Sequence, residues 1–140
     1  MNRQYVFNTV ARHLLTQRKQ ALRPSLPQPD GAAPAPACVY RSPRGLKCAI
    51  GALIPDEMYC PRMEGNSVRN LLMDHPELTS HLKLKQDLSE VVEIQFLDTL
   101  QQIHDDNPEY DWPLKLLEFA EQYGLDPQVV HTTNAERPTP

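Results

Sequence analysis

The chain has 140 residues with 18 acidic and 14 basic side chains, a net charge of −4, and three cysteines. This length suits one compact domain, and no apolar run reaches the roughly 20 residues of a membrane-spanning helix. The N-terminus has charges where a signal peptide would have its apolar segment, and three cysteines are too few for a disulfide-stapled secreted fold. We therefore expect a cytoplasmic protein with reduced thiols and no membrane association.

Residues 1–23 are predicted to form an amphipathic helix. Apolar side chains recur there at steps of three and four along one face, and Asn2 is in place as an N-cap. The next segment, 24–37, has five prolines and four alanines, which predict an extended linker. Because the apolar stripe of the helix needs a partner, we expect the helix to dock on the core.

Residues 38–50 are predicted to form a β-hairpin. Val39, Tyr40 and Ile50 favour strands, and the sequence Ser-Pro-Arg-Gly at residues 42–45 supplies a turn. The hairpin would be the only β-structure in a mostly helical chain, and the predicted fold class is therefore α+β with a small antiparallel sheet.

Three further helices complete the prediction, which gives about four in all. One begins after Asn66 or Ser67, the longest spans residues 84–104, and the last follows Asp111 and stops at Gly124. Residues 38–125 would then form a single core domain. Residues 126–140, which are rich in proline and polar groups, are predicted to be a flexible tail.

Cys48 is a candidate nucleophile, metal ligand or core residue, and it lies in the apolar stretch GLKCAIGALI. As a nucleophile it would need a base and an orienting group, and His104 with Asp105 supplies both residue types. As a zinc ligand it would join Cys38, Cys60 and a histidine, although the spacing matches no close-paired zinc motif. As a small core residue it needs no partner, which is the interpretation that we favour; no cofactor is expected.

The charges of the chain are strongly asymmetric. Residues 1–70 carry a net charge of +6 and residues 71–140 carry −10. We predict that the acidic half presents a contact face to a basic partner; its residues are Glu90, Glu93, Asp98, Asp105 and Asp106. A basic middle segment could instead hold a nucleic-acid backbone; its residues are Arg41, Arg44, Lys47, Arg62 and Arg69.

Two stretches of the chain resemble a group of small uncharacterised proteins of tailed bacteriophages and prophages. They are CVYRSPRGLKCAIGALIPDEMYCPRMEG at residues 38–65 and FLDTLQQIHDD at residues 96–106. The resemblance extends over residues 1–23 and 38–125, and more distantly to phage proteins that have a CCLG-type strand. It implies a protein made by a phage or a phage-derived locus in a bacterial cell, and it brings no catalytic or binding residues.

The sequence therefore favours a non-enzymatic accessory protein, a monomer or homodimer that binds and modulates a host macromolecule. The alternatives are a cysteine-dependent hydrolase or transferase that uses Cys48 and His104, and a nucleic-acid-binding protein that uses the basic half.

Overall fold

The computed structural model describes residues 1–23 and 37–135, which fold into six α-helices around one hydrophobic core. The helices are α1 (Arg3–Gln17), α2 (Val68–Asp74), α3 (Pro76–His81), α4 (Val91–Asp106), α5 (Trp112–Tyr123) and α6 (Gln128–Ala135). Single turns of 3-10 helix in the connections of this described part are Gly51–Leu53, Pro61–Met63 and Glu109–Asp111. None of the described helices combines the length and hydropathy that a bilayer crossing requires.

The core is built on α1, α4 and α5, which contribute its largest aromatic side chains. Phe7 of α1 stacks on Phe119 of α5 at 5.9 Å between ring centroids, and Phe96 of α4 meets Phe119 edge-on at 5.0 Å. Asn2 caps α1 as predicted, since its side chain accepts a hydrogen bond from the Tyr5 N–H. The apolar stripe of α1 is buried in this core, and the helix is docked.

The predicted α+β class is wrong, because residues 38–50 do not form a hairpin in the described part of the chain. The predicted turn forms, but β pairing after it is limited to one bridge between Arg41 and Lys47. The only other pairing among the described residues is two residues long and joins β1 (Leu22–Arg23) to β2 (Ala37–Cys38). The fold is therefore helical.

Side chains from other parts of the chain take the hydrogen bonds that a hairpin ladder would make. Both oxygens of the Glu64 carboxylate accept from backbone N–H groups, those of Tyr40 and Arg41, at 2.8 and 3.0 Å. The Lys47 N–H donates to Gln17, and the Ile50 N–H donates to Gln101. Because buried backbone donors need one partner each, these contacts replace a second strand.

The longest helix, α4, begins at Val91 instead of near residue 84. Lys83 and Leu88 have φ angles of 61° and 56°, which an α-helix of L-residues does not accommodate. The Glu90 carboxylate accepts the Lys85 N–H at 2.9 Å and closes this connection. Leu88 is still buried as its apolar character requires, but it reaches the core from a loop.

The predicted flexible tail at residues 126–140 needs a correction, because α6 lies within it. Val129 and Val130 of α6 are buried in the core, and the helix packs against α1. The predicted linker at 24–37, except for Ala37, and the end of the tail at 136–140 lie outside the described residues.

Candidate functional site

A cleft of about 310 Å³ lies beside α4, and we call it the α4 cleft. Asp98, Gln101 and Asp105 of α4 line one wall, Glu64 and Ser67 line the other, and the end is closed by Cys38, Val39 and Tyr40. The three α4 residues are separated by steps of three and four, which places them on one helical face. The cleft is therefore positioned by the longest helix of the fold.

His104 lies behind this wall and is completely buried. The backbone N–H of Ala21 donates to its Nε2 atom at 2.9 Å, and its Nδ1 atom lies 2.7 Å from Oδ1 of Asp105. Because an amide N–H can only donate, Nε2 carries a lone pair and the ring hydrogen lies on Nδ1. His104 is thus held in one neutral tautomer with both nitrogens occupied.

Asp105 is the acceptor that joins these groups. Its Oδ1 atom accepts from His104 and from Nε2 of Gln101 at 2.9 Å, and the thiol of Cys38 also donates to its carboxylate. The other end of Gln101 accepts the N–H of Ile50 at 2.9 Å. Together these contacts connect the segment after α1, helix α4 and the turn at residues 48–51 in one hydrogen-bonded network.

Cys38 has an exposed position but a thiol environment that opposes ionisation. Burial of the sulfur, together with the negative charge of Asp105 and its hydrogen bond, raises the pKa of the Cys38 thiol to about 12. A nucleophilic cysteine needs the opposite shift, toward the thiolate, and a base with a free lone pair. Cys38, His104 and Asp105 resemble a triad in composition, but the bonding fixes them as a structural network.

Cys48 is buried, as the favoured interpretation required, and it makes no hydrogen bond to His104 among the described contacts. Burial raises the pKa of its thiol to about 12, and its sulfur accepts the N–H of Gly51 at 3.2 Å. Both nitrogens of His104 are already bonded to other groups. The geometry therefore gives no support to a catalytic pair of Cys48 and His104.

The alternative zinc site of Cys38, Cys48 and Cys60 does not assemble among the described residues. Among the described residues, the one group of metal-ligand types within 4.8 Å of each other is Cys38, His104 and Asp105. A metal on Nδ1 of His104 would require a hydrogen on Nε2, where the Ala21 N–H already points. Two N–H groups would then face each other, so the donor set does not suit a cation.

The predicted acidic contact face is divided by the fold. Asp98 and Asp105 line the α4 cleft, whereas exposed Asp106 lies outside its lining. Glu93 is paired with Arg3, whose guanidinium also lies over the ring of Phe96, so this carboxylate serves the packing of α1 on α4. Glu90 closes the loop before α4, as described above. Only two of the five predicted acidic residues thus line the cleft.

The predicted basic patch is also only partly assembled. Arg41 forms an ion pair with Asp56 at 2.7 Å, and Lys47 lies 3.4 Å from the same carboxylate. The guanidinium of Arg41 additionally stacks on Tyr59, at 4.7 Å from the ring centroid. Arg44, Arg62 and Arg69 are exposed on separate segments and share no ion-pair partner with these two.

Glu64, Gln101 and Tyr40 are site residues that the sequence did not single out. Glu64 accepts from the backbone N–H groups of Tyr40 and Arg41, and its carboxylate also accepts from the hydroxyl of Tyr59 at 2.7 Å. Gln101 lies among the buried apolar residues of α4. A polar residue in such a stripe needs a hydrogen-bond partner, and this is the feature by which the sequence could have indicated it. Tyr40 is nearly buried, and its hydroxyl donates to the Asn66 carbonyl at 2.7 Å.

Comparison of the chain with protein-family models, curated proteins and solved structures found no match. Any function assigned to this fold therefore depends on the α4 cleft and the other surfaces of this chain.

We expect the thiol of Cys38 to react slowly with iodoacetamide in the folded protein, in spite of its exposure. A pKa of about 12 leaves a thiolate fraction of about 10⁻⁴ at pH 8, so alkylation should be at least a hundredfold slower than that of an unstructured cysteine peptide. An Asp105→Asn variant removes the charge and should speed the reaction roughly tenfold. Peptide mass spectrometry measures both rates, with Cys60 as a comparison in the same chain.

Rapid alkylation of Cys38 in the native protein, at the rate of the free peptide, would contradict the structural role of the network. Such a result would support a thiol-dependent activity.

Proposed function

We propose that the protein is a non-catalytic binding protein that holds a basic segment of a partner protein in the α4 cleft. The observation that carries the proposal is the lining of the cleft. Glu64, Asp98 and Asp105 supply three carboxylates, and the described lining residues include no lysine, arginine or histidine. Carboxylates that converge on a cleft attract cationic side chains and repel the phosphates of nucleic acid.

Asp98 is the carboxylate with the most freedom to bind a partner. It is exposed, and among the described residues the one hydrogen bond that its carboxylate accepts comes from Gln102 at 3.3 Å, on the same helix. The oxygens of Glu64 and the Oδ1 atom of Asp105 already accept hydrogen bonds from within the fold. These two residues therefore contribute mainly negative potential, and Asp98 is expected to make the direct contact.

A second pocket of about 220 Å³ continues the cleft toward the N-terminus of α4. It shares Ser67, Val68 and Asp98 with the α4 cleft and adds the apolar side chains of Val91 and Ile94; its other lining residues are Arg69 and Gln95. Val91 is 50% exposed, although it is apolar. The surface from residue 91 to residue 105 is therefore apolar at one end and acidic at the other.

The length of this surface limits the size of the segment that it holds. Fourteen residue steps along α4, from 91 to 105, correspond to about 21 Å at about 1.5 Å per residue. About six residues of extended chain span that distance. The partner segment would place a lysine or arginine at Asp98 and an apolar side chain near Val91. On the resemblance to phage and prophage proteins, the partner is proposed to be a protein of the bacterial host.

The proposal is tested with fluorescently labelled short peptides that combine one or two lysines or arginines with an apolar residue at varied spacing. Fluorescence polarisation should detect binding that weakens with salt, and an Asp98→Lys variant should weaken it about tenfold or more, since close charges of like sign repel. Glu121→Lys is the matched control. Glu121 is exposed on α5 and lies outside the cleft, and its substitution changes the net charge by the same amount as Asp98→Lys.

Binding that Asp98→Lys and Glu121→Lys weaken to the same extent would show attraction to net charge alone. A panel in which no basic peptide binds, or in which acidic peptides bind equally well, would also contradict the proposal.

A further inference from the structure

A second and larger cleft, of about 570 Å³, lies on a different face of the molecule. It is formed by the first half of α1, by residues 52–56 and by the end of α3, and we call it the α1 cleft. It shares none of its lining residues with the α4 cleft. Its volume lies in the range of small-molecule sites, about 300–1,000 Å³.

The floor of the α1 cleft is apolar. Val6, Leu53, Ile54 and Leu82 line it, and all four are buried residues of the core. Thr9 of α1 and Pro55 are half-buried at its sides. A rigid apolar floor of this kind favours the burial of a hydrocarbon body, because both surfaces lose contact with water.

The charges that line the α1 cleft are predominantly positive. Lys47 and Lys83 line it together with His81, and Asp56 is the single carboxylate among its described lining residues. The Asp56 carboxylate is shared between Lys47 and Arg41, so these two positive charges face its single negative charge. Lys83 is exposed and has no ion pair among the described residues. The cleft therefore has an excess of positive charge beside its apolar floor.

We infer that the α1 cleft binds a small amphipathic carboxylic acid, with its hydrocarbon body on the apolar floor and its carboxylate between Lys47 and Lys83. The carboxylate would compete with Asp56 for Lys47, while Asp56 keeps its shorter contact to Arg41. This inference is independent of the proposed peptide site, because the two clefts have no residue in common.

The probe is octanoate, and 1-octanol is its uncharged analogue of equal chain length. Amide chemical shifts of the isotope-labelled full chain, recorded during titration, give both the affinity and the location. We expect saturable octanoate binding with a Kd of about 1 mM or lower and shifts confined to residues around Val6, Leu53 and Lys83, with weaker binding of the alcohol.

Four variants test the assignment. Lys83→Glu should weaken octanoate binding about threefold or more, whereas Lys85→Glu, an exposed residue outside the cleft, should not. Asp56→Asn should strengthen binding, because it removes the competing carboxylate. Thr9→Trp should fill the cleft and abolish binding, with circular dichroism as the check that the variant is folded.

Absence of saturable binding, equal affinity for octanoate and octanol, or an unchanged affinity in Lys83→Glu would overturn the inference. If Thr9→Trp does not fold, the opposite effects expected for Lys83→Glu and Asp56→Asn still decide it.

Discussion

Replacement of Gly51 with alanine is expected to destabilise the protein by about 3 kcal/mol or more, as severe overpacking of a core does. An ideal Cβ at Gly51 would lie 3.0 Å from the carbonyl carbon of Tyr40 and closer still to its oxygen. Both atoms belong to the backbone of Tyr40, so they cannot move aside as the end of a flexible side chain could. Thermal and urea unfolding measure the loss in free energy.

Gly45→Ala is the matched control for this variant. Gly45 has a φ of 83°, but a Cβ there would meet no atom within 4 Å. Its substitution should therefore cost only the backbone strain, about 1–2 kcal/mol. A Gly51→Ala protein as stable as Gly45→Ala would contradict the close approach between Gly51 and Tyr40.

Replacement of His104 with alanine is expected to cost about 3–4 kcal/mol of unfolding free energy. The change leaves the buried N–H of Ala21 without a partner, which costs about 1–3 kcal/mol, and Asp105 loses one of the hydrogen bonds that its carboxylate accepts. It also removes the ring that stacks on Trp112 at 5.5 Å between centroids. Chemical denaturation with Trp112 fluorescence as the readout measures the effect.

His104→Gln and His131→Ala provide the controls. Glutamine offers an oxygen where Nε2 accepts from Ala21, so it should recover about half of the lost free energy. His131 is exposed on α6, and its loss should change stability by less than about 0.5 kcal/mol. If His104→Ala were as stable as His131→Ala, the buried network would not hold the fold together.

The features of the fold that the sequence predicted depend on contacts a few residues apart. Asn2 and Ser67 cap α1 and α2 through side-chain oxygens three residues from their donors. Gly124 ends α5 with a φ of 65°, and the Leu125 N–H donates back to Ala120 as a Schellman stop requires. Local sequence contains all the partners of such motifs, and these predictions were confirmed.

The features that the sequence did not predict depend on distant partners. Val39, Tyr40 and Ile50 have strand propensity, but the backbone around them bonds to Glu64, Gln17 and Gln101, up to 51 positions away. The stripe of α6 is short, and its burial depends on α1 at the other end of the chain. Propensity gives way to such tertiary contacts.

The candidate site shows the same limit. His104 and Asp105 were recognised as residues that could do chemistry, but the tautomer of His104 is fixed by the backbone of Ala21, 83 positions away. Asp98 was predicted to contact a partner together with Glu90 and Glu93, but Glu90 binds the backbone of Lys85 and Glu93 pairs with Arg3. A charge pattern predicts an acidic half, but only the packing shows which carboxylates are already occupied.

The most direct test of the central claim compares two variants in one binding measurement. The peptide from the panel that binds most tightly is titrated by calorimetry into the wild type, Cys38→Ser and Asp98→Lys. We expect Cys38→Ser to bind within about twofold of the wild type, whereas Asp98→Lys should lose about tenfold or more in affinity. An unchanged Asp98→Lys, with binding lost in Cys38→Ser, would contradict it and assign the function to the thiol.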